Sequence, residues 1–230
     1  MAYGHEGRNI VICPLRLTER RQIFVDCLHL LEAHRPGNEL HIVPEVAVPG
    51  GSVDYFLVST DSDRNVEDFV GIELQAMDTT GSLWPERERT LCGLGLKESI
   101  GGRDKPFGIN WKMTAKTILV QLHHKIDTFE HLGKHLVLVL QDHLLEYIKG
   151  EFAFSNINPV PSKADSMHIH SYRLKRVGQD FRLVLDTRYS TDSRGVSALL
   201  GLNADANVSF GEVAKRLKTK ISDATLFSIV

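Results

Sequence analysis

The chain has 230 residues, of which 42% are hydrophobic and 24% are charged, and its formal net charge is −2. This length is enough for one packed domain, and a near-neutral charge does not by itself indicate a nucleic-acid-binding protein. The apolar runs are shorter than the roughly 20 residues of a membrane-spanning helix and the N-terminus lacks a signal-peptide pattern, so we expect a cytoplasmic protein that does not contact membrane.

Hydrophobic periodicity predicts two helices and three strands in the first half of the chain. They are a helix that begins after Thr18, strands at 40–48, 53–59 and 69–76, and a helix at 109–129. Thr18 is the expected N-cap of the first helix. Its apolar face is formed by Ile23, Cys27, Leu30 and Leu31. Residues 60–68 are predicted to be a hairpin loop, and residues 79–108 a long irregular excursion.

The second half is predicted to contain a strand, a helix, a hairpin and a last helix. These are strand 135–140, helix 142–149 with Asp142 as its cap, strands 167–177 and 180–189, and helix 207–221 with Ser209 as a capping residue. Together the elements predict a single α/β domain with a mixed central sheet flanked by helices. We expect its core at about 18–150, and a partner-contacting or dimerising hairpin and helix at 167–221.

One predicted strand combines a polar face with an apolar face. Successive side chains of a strand point to opposite sides, so Glu73 and Gln75 share one side. Their neighbours Ile72, Leu74 and Ala76 share the other side, which suits an apolar layer. The alternative is that Glu73 and Gln75 simply form the solvent side of a half-buried strand.

Asp54 favours a site over a solvated strand. It stands one residue into the predicted strand 53–59, just after a turn of two glycines and a serine, and apolar residues follow it. If this strand pairs with the next one as a hairpin, Asp54 faces Glu73 across the ladder. Two carboxylates this close repel each other unless a cation lies between them, and a divalent cation that prefers oxygen ligands fits.

These residues resemble a known nuclease signature. An Asp followed after a hairpin by Glu-x-Lys is typical of the PD-(D/E)xK nucleases, some of which have Gln at the third position. The segment GIELQAMDTTGS, with the preceding Asp54-Tyr55 step, is similar to the active-site region of the NotI-like type II restriction endonucleases. The strong similarity covers residues 53–82, and the residues around Asn110 to Met113 are a weaker match.

The resemblance implies a role for each residue of the motif. Asp54 and Glu73 are expected to bind Mg²⁺, with the carbonyl of Leu74 as a further ligand. Gln75 stands where a lysine is usual, so it can orient the attacking water but brings no charge. Glu45 is either an additional acid near the metal or an exposed strand residue.

The resemblance also implies a restriction endonuclease-like fold and a reaction. The expected activity is Mg²⁺-dependent, sequence-specific hydrolysis of double-stranded DNA by a homodimer that leaves 5′-phosphate and 3′-hydroxyl ends. One alternative is a repair or nicking nuclease that acts as a monomer on the same fold. Another is a non-catalytic module that binds nucleic acid or protein.

Basic residues on two predicted elements are candidates for DNA contact. They are Lys112 and Lys116 on the long helix, and Arg173, Lys175, Arg176, Arg182 and Arg188 on the C-terminal hairpin. Arginine can reach guanine edges with two hydrogen bonds, and lysine can meet phosphate. A solvated surface is the alternative for both groups.

Cysteine and histidine spacing gives no second metal site. Cys13, Cys27 and Cys92 are too few and too scattered for a disulfide framework, or for the four-cysteine iron site of NotI relatives. His131 and His135 are four residues apart, but Gly133 interrupts them and no Glu stands in the position that the HExxH pattern requires, which disfavours a zinc hydrolase.

Overall fold

The computed structural model describes residues 2–3, 8–81, 84–93, 95, 108–178, 180–201 and 210–220. The strands are β1 (Ala2–Tyr3), β2 (Arg8–Asn9), β3 (Glu39–Val48), β4 (Gly51–Thr60), β5 (Val66–Gln75), β6 (Thr79–Thr80), β7 (Gly108–Ile109), β8 (His135–Gln141), β9 (Met167–Val177) and β10 (Asp180–Thr191). The helices are α1 (Gln22–Cys27), α2 (Trp84–Gly93), α3 (Trp111–His131), α4 (Asp142–Glu151), α5 (Ser193–Leu199) and α6 (Phe210–Lys218). Within these ranges, no helix is long and apolar enough to cross a membrane.

Six strands form one mixed sheet in the order β10-β9-β8-β5-β4-β3. The outer pairs are antiparallel, whereas β8 pairs in parallel with both β5 and β9. The parallel step from β5 to β8 is made through α3, because a parallel connection needs a long crossover. The predicted α/β domain, with a mixed sheet flanked by helices, is confirmed.

Helices cover the two faces of the sheet unequally. On one face α3, α4 and α5 pack on the sheet in an apolar layer that includes Ile118, Leu122 and Phe129. On the other face α1 packs through Ile23 and Cys27. Every residue of β8 is buried because both its faces are covered. We call these surfaces the α3 face and the α1 face.

The first helix begins later than predicted. Arg20 and Arg21 adopt left-handed backbone conformations with φ of 56° and 58°, so α1 starts only at Gln22. The Thr18 hydroxyl donates to the Leu15 carbonyl and does not cap the helix, so that prediction was wrong. The apolar positions predicted for this segment are nevertheless buried, from Ile23 to Leu31.

Two helices were not predicted. Residues 79–108 were expected to be irregular, but α2 forms there, and β6 pairs with β7 across the excursion. Charged and long side chains favour helix even without an apolar stripe, and Pro85 is tolerated in a first turn. Helix α5 follows Asp192, whose carboxylate accepts from the Gly195 N–H as an N-cap.

The remaining helix ends differ slightly from prediction. The N-cap of α4 is Gln141, and Asp142 is the first helical residue, with its carboxylate accepting from the His143 N–H. This places an acid in the first turn, where the helix dipole favours it. Helix α6 lies inside the predicted 207–221 range, and the proposed capping residue Ser209 lies outside the described residues.

Candidate metal centre

The hairpin of β4 and β5 places two carboxylates side by side. Its register ends at the pair of Tyr55 and Ile72, and continued by one residue it brings Asp54 opposite Glu73. The Asp54 carboxylate accepts a hydrogen bond from the Leu74 N–H at 2.8 Å, which fixes the aspartate against β5. Opposite residues of an antiparallel pair point to the same face, so both acids lie on the α3 face.

Glu73 is enclosed, with only 3% of its surface exposed. Burial raises its pKa to about 7, while the hydrogen bond and charge of Lys125 lower it and the charge of Asp54 raises it further. Asp54 and Glu73 are therefore close enough to interact electrostatically. Such a pair is stabilised by positive charge nearby.

The alternation along β5 separates the polar and apolar residues as the sequence predicted. Ile72 is buried on the α1 face, and Leu74 and Ala76 pack against the same layer. Glu73 is not on a solvent side, because α3 covers it. Gln75 is half-buried, and its side-chain amide donates to the Ala76 carbonyl at 2.6 Å.

Sequence reasoning missed Lys125, which lies on α3 directly over Glu73. Its Nζ is 2.6 Å from Glu73 Oε1 and 2.5 Å from the Ser52 carbonyl oxygen. The signal was available, because Lys125 is three residues after Leu122 and four before Phe129. This spacing places it on the buried stripe of the helix, where an unpaired lysine is not expected.

Each of the two acids has a carboxylate oxygen that could bind a cation. Among the described residues, Asp54 uses Oδ2 for the Leu74 N–H and Glu73 uses Oε1 for Lys125. The second oxygen of each carboxylate makes no hydrogen bond in that part of the chain. No cluster of three or more His, Cys, Asp or Glu side chains suited to a metal occurs there. Two carboxylates suit Mg²⁺, which keeps several waters and needs few protein ligands.

Glu45 is not gathered into this centre. The register of β3 and β4 places it opposite Asp54, between the Pro44–Tyr55 and Val46–Val53 pairs. However, Glu45 has a left-handed φ of 52° and its side chain is exposed. An additional metal-binding role for Glu45 remains a prediction.

The basic residues of the β9–β10 hairpin divide between the two faces of the sheet. The pairs Lys175–Arg182 and Leu174–Leu183 are adjacent in the register, and Leu174 packs on the α1 face. By alternation, Arg173, Lys175 and Arg182 belong to the α3 face, which bears Glu73. Arg176 and Arg188 belong to the α1 face. The five residues therefore do not form the single contact surface that was expected of the hairpin.

Two of these arginines already have carboxylate partners. Arg173 forms an ion pair with Asp186, the residue that bulges out of the β9–β10 register. Arg188 lies 4.0 Å from Asp26, which also accepts a hydrogen bond from the Tyr172 hydroxyl at 2.8 Å. Arg188 therefore belongs to a polar cluster beneath α1.

The two helix lysines proposed for DNA contact point away from the centre. Lys112 and Lys116 are exposed on α3. At about 100° per residue, Lys116 lies about 180° around the helix from Lys125, and Lys112 about 140°. They are available to a partner only on the outer surface of α3.

Histidines and cysteines of the described chain stand apart from the acids. His135 begins a buried strand and lies beside His168, with their ring nitrogens 3.2 Å apart, whereas His131 is exposed at the end of α3. The two therefore do not form a metal-binding pair. Cys13, Cys27 and Cys92 are free.

No protein-family model matches the chain, and no curated protein sequence is significantly similar to it.

Proposed function

We propose that this protein is a Mg²⁺-dependent endonuclease that hydrolyses phosphodiester bonds of double-stranded DNA, with a restriction endonuclease-like core. The observation that carries the proposal is the hydrogen bond from the Leu74 N–H to Asp54, which holds Asp54 close enough to Glu73 for their charges to interact. The likeness of this hairpin to NotI-like restriction enzymes supplies the substrate class. The acids come in the order that the nuclease signature requires.

Asp54 and Glu73 would hold Mg²⁺ through their second carboxylate oxygens, and the Leu74 carbonyl is the proposed third protein ligand. A bound Mg²⁺ would supply acidification of water and stabilisation of negative charge on the phosphate. The hydrogen bond from the Leu74 N–H keeps Asp54 in place, and Lys125 keeps Glu73 in place. These contacts preorganise the acids before any cation binds.

The reaction is hydrolysis with water as the nucleophile. The water oxygen forms a bond to phosphorus while the bond from phosphorus to the 3′ oxygen breaks. The 3′ oxygen takes up a proton, and the phosphate remains on the 5′ side. Gln75 lies two residues after Glu73 on the same face, where its amide oxygen can accept a hydrogen bond from the attacking water.

DNA would approach the α3 face at the carboxyl ends of β5 and β9. These strands are each parallel to β8, so their carboxyl ends meet at one edge of the sheet. Arg173 and Lys175 lie on this face of β9, two strand spacings from β5, and Arg182 lies on the same face of β10, three spacings from β5. They are the best placed of the proposed DNA contacts.

The experiment incubates the protein with bacteriophage DNA in Mg²⁺ or in EDTA. The proposal expects discrete fragments in Mg²⁺ alone, and a calorimetric Mg²⁺ titration that is lost in Asp54→Asn. Nicks in one strand only would favour a repair nuclease of the same fold. No cleavage and no Mg²⁺ binding would leave a non-catalytic binding module as the better description.

A further inference from the structure

A buried lysine side chain contacts the proposed metal centre. Lys125 is only 4% exposed, although lysine is almost never buried without a partner. Its Nζ donates to Glu73 Oε1 and to the Ser52 carbonyl, so it bridges β5 and the start of β4. One of its three N–H donors has no partner among the described residues.

The turn before β4 is shaped to fit this lysine. Gly50 and Gly51 have left-handed φ values of 95° and 136°, which favour glycine. A Cβ at Gly50 would overlap the His124 carbonyl, and one at Gly51 would lie 3.1 Å from Lys125 Cε. The Thr128 hydroxyl donates to the Pro49 carbonyl and holds the same turn on α3.

The charges explain what the lysine does. When ionised, the half-buried Asp54 and the buried Glu73 carry two negative charges close together, and Lys125 offsets one of them. Without Lys125 the metal-free protein would bury the Glu73 carboxyl group without its partner, which is destabilising. With Lys125, an incoming divalent cation meets a net charge of −1 rather than −2, so its attraction is weaker.

We propose that Lys125 is a built-in counter-ion of the acid pair, which holds Glu73 in the metal-free protein at the expense of Mg²⁺ affinity. This inference rests on the proposed function, because it takes Asp54 and Glu73 as the Mg²⁺ ligands. Lys125 acts through Glu73 and is a positioning residue. Its effect is visible in stability and metal binding, without any cleavage assay.

The test measures the melting temperature in EDTA and in Mg²⁺ for wild type, Lys125→Met and Lys116→Met. Lys116 is the matched control, because it lies on the exposed side of the same helix. In EDTA we expect Lys125→Met to melt roughly 10 °C lower than wild type and Lys116→Met to be unchanged. We expect Mg²⁺ to raise the melting temperature of Lys125→Met by more than it raises that of wild type.

A double variant keeps the test informative if Lys125→Met does not fold. Lys125→Met combined with Glu73→Gln removes both charges, so in EDTA it should be more stable than Lys125→Met. A double variant that is no more stable overturns the inference.

The remaining outcomes separate the inference from the function. If Mg²⁺ stabilises wild type but not Asp54→Asn, and stabilises Lys125→Met no more than wild type, the counter-ion role is wrong and the metal site stands. If Mg²⁺ shifts none of these proteins, the metal site and the counter-ion role are both wrong.

Discussion

The Asp54 side chain connects two strands at the proposed metal centre. Its carboxylate takes the hydrogen bond of the Leu74 N–H, which directs the aspartate toward β5. A hydrogen bond to an ionised acceptor is roughly twice as strong as a neutral one, so the side chain is held firmly. The residue that would bind the metal is thus also part of the hairpin.

Replacing either acid should separate cleavage from binding. In Asp54→Ala and Glu73→Ala we expect cleavage to fall by about 10³-fold or more, because several kcal/mol of charge stabilisation are lost. DNA binding should be retained or strengthened, since removing a carboxylate removes repulsion toward phosphate. Gel-shift and cleavage assays on the same preparations check this, with circular dichroism as the folding control. Normal cutting by a folded variant would contradict the site.

Gln75 should contribute less than the acids. An uncharged hydrogen bond to water is worth about 1 kcal/mol, so Gln75→Ala should slow single-turnover cleavage by roughly fivefold. Gln75→Glu should retain more activity than Gln75→Ala, because a carboxylate can still orient water. Equal rates for Gln75→Ala and wild type at saturating Mg²⁺ would make Gln75 only a strand residue.

Buried histidines on the α1 face should make the fold sensitive to acid. Burial lowers the pKa of His168 to about 4 and of His170 to about 3, from an ordinary value of 6.5. Nearby His135 lowers the pKa of His168 further, and nearby Arg188 lowers the pKa of His170 further. Below about pH 6.5 these histidines bind protons in the unfolded chain but not in the folded chain. Their contribution to the free energy of unfolding is therefore fully present above this pH. This contribution should fall as the pH is lowered toward 4 for His168 and toward 3 for His170.

The measurement is urea unfolding between pH 7.5 and pH 4.5. Each such histidine should lower the free energy of unfolding by about 1.4 kcal/mol per pH unit once the unfolded state is fully protonated. His170→Phe should flatten this dependence, and His131→Ala, at an exposed position, should not. An unchanged pH dependence in His170→Phe would show that the acid sensitivity arises elsewhere.

At the scale of elements, the packing of α3 on β5 determines how closely α3 covers the proposed metal centre. The helix packs so closely on β5 that a Cβ at Gly71 would overlap the ring of Phe129. Four residues before Phe129, Lys125 reaches Glu73 from the same helix face. The close packing of Phe129 on Gly71 therefore sets the distance between α3 and β5 at which Lys125 contacts Glu73.

The β9–β10 hairpin should bind DNA with one face only. Lys175→Ala and Arg182→Ala remove charge from the α3 face, and each should weaken binding and reduce the salt slope of log K by about 0.9. Arg176→Ala removes the same charge from the opposite face of the hairpin and should change neither. Fluorescence anisotropy across a salt series measures the slopes. Similar losses from all three variants would contradict a one-sided contact.

Most elements of this fold could be predicted from local sequence patterns. Alternation predicted the faces of Glu73 and Ile72, and hydrophobic periodicity predicted the long helix α3. The start of α1 was not predictable, because the left-handed backbone at Arg20 and Arg21 has no residue preference to reveal it. Helical spacing could have indicated that Lys125 is buried, but its partner Glu73 is 52 residues away in sequence, and local periodicity does not identify such a partner.

At the scale of the molecule, the proposed reaction requires two centres for two strands. One pair of acids serves one scissile phosphate, and duplex DNA presents two that are related by a dyad. A two-fold homodimer matches this symmetry with a single kind of chain. Light scattering on the protein bound to a cleavable palindromic duplex should therefore give two protein chains per duplex. A complex of one chain with one duplex would refute the dimer.

Among the described residues, the outermost strand β3 pairs with one neighbour, β4. A strand of another molecule could therefore pair with its other side and extend the sheet. Pro44, in the middle of this strand, has no N–H to offer, and Glu45 beside it combines a charge with a left-handed backbone. Both features discourage an incoming strand from adding to this edge. We therefore expect β3 to act as a barrier against aggregation, and the subunits of a dimer to meet elsewhere than by joining their sheets at β3.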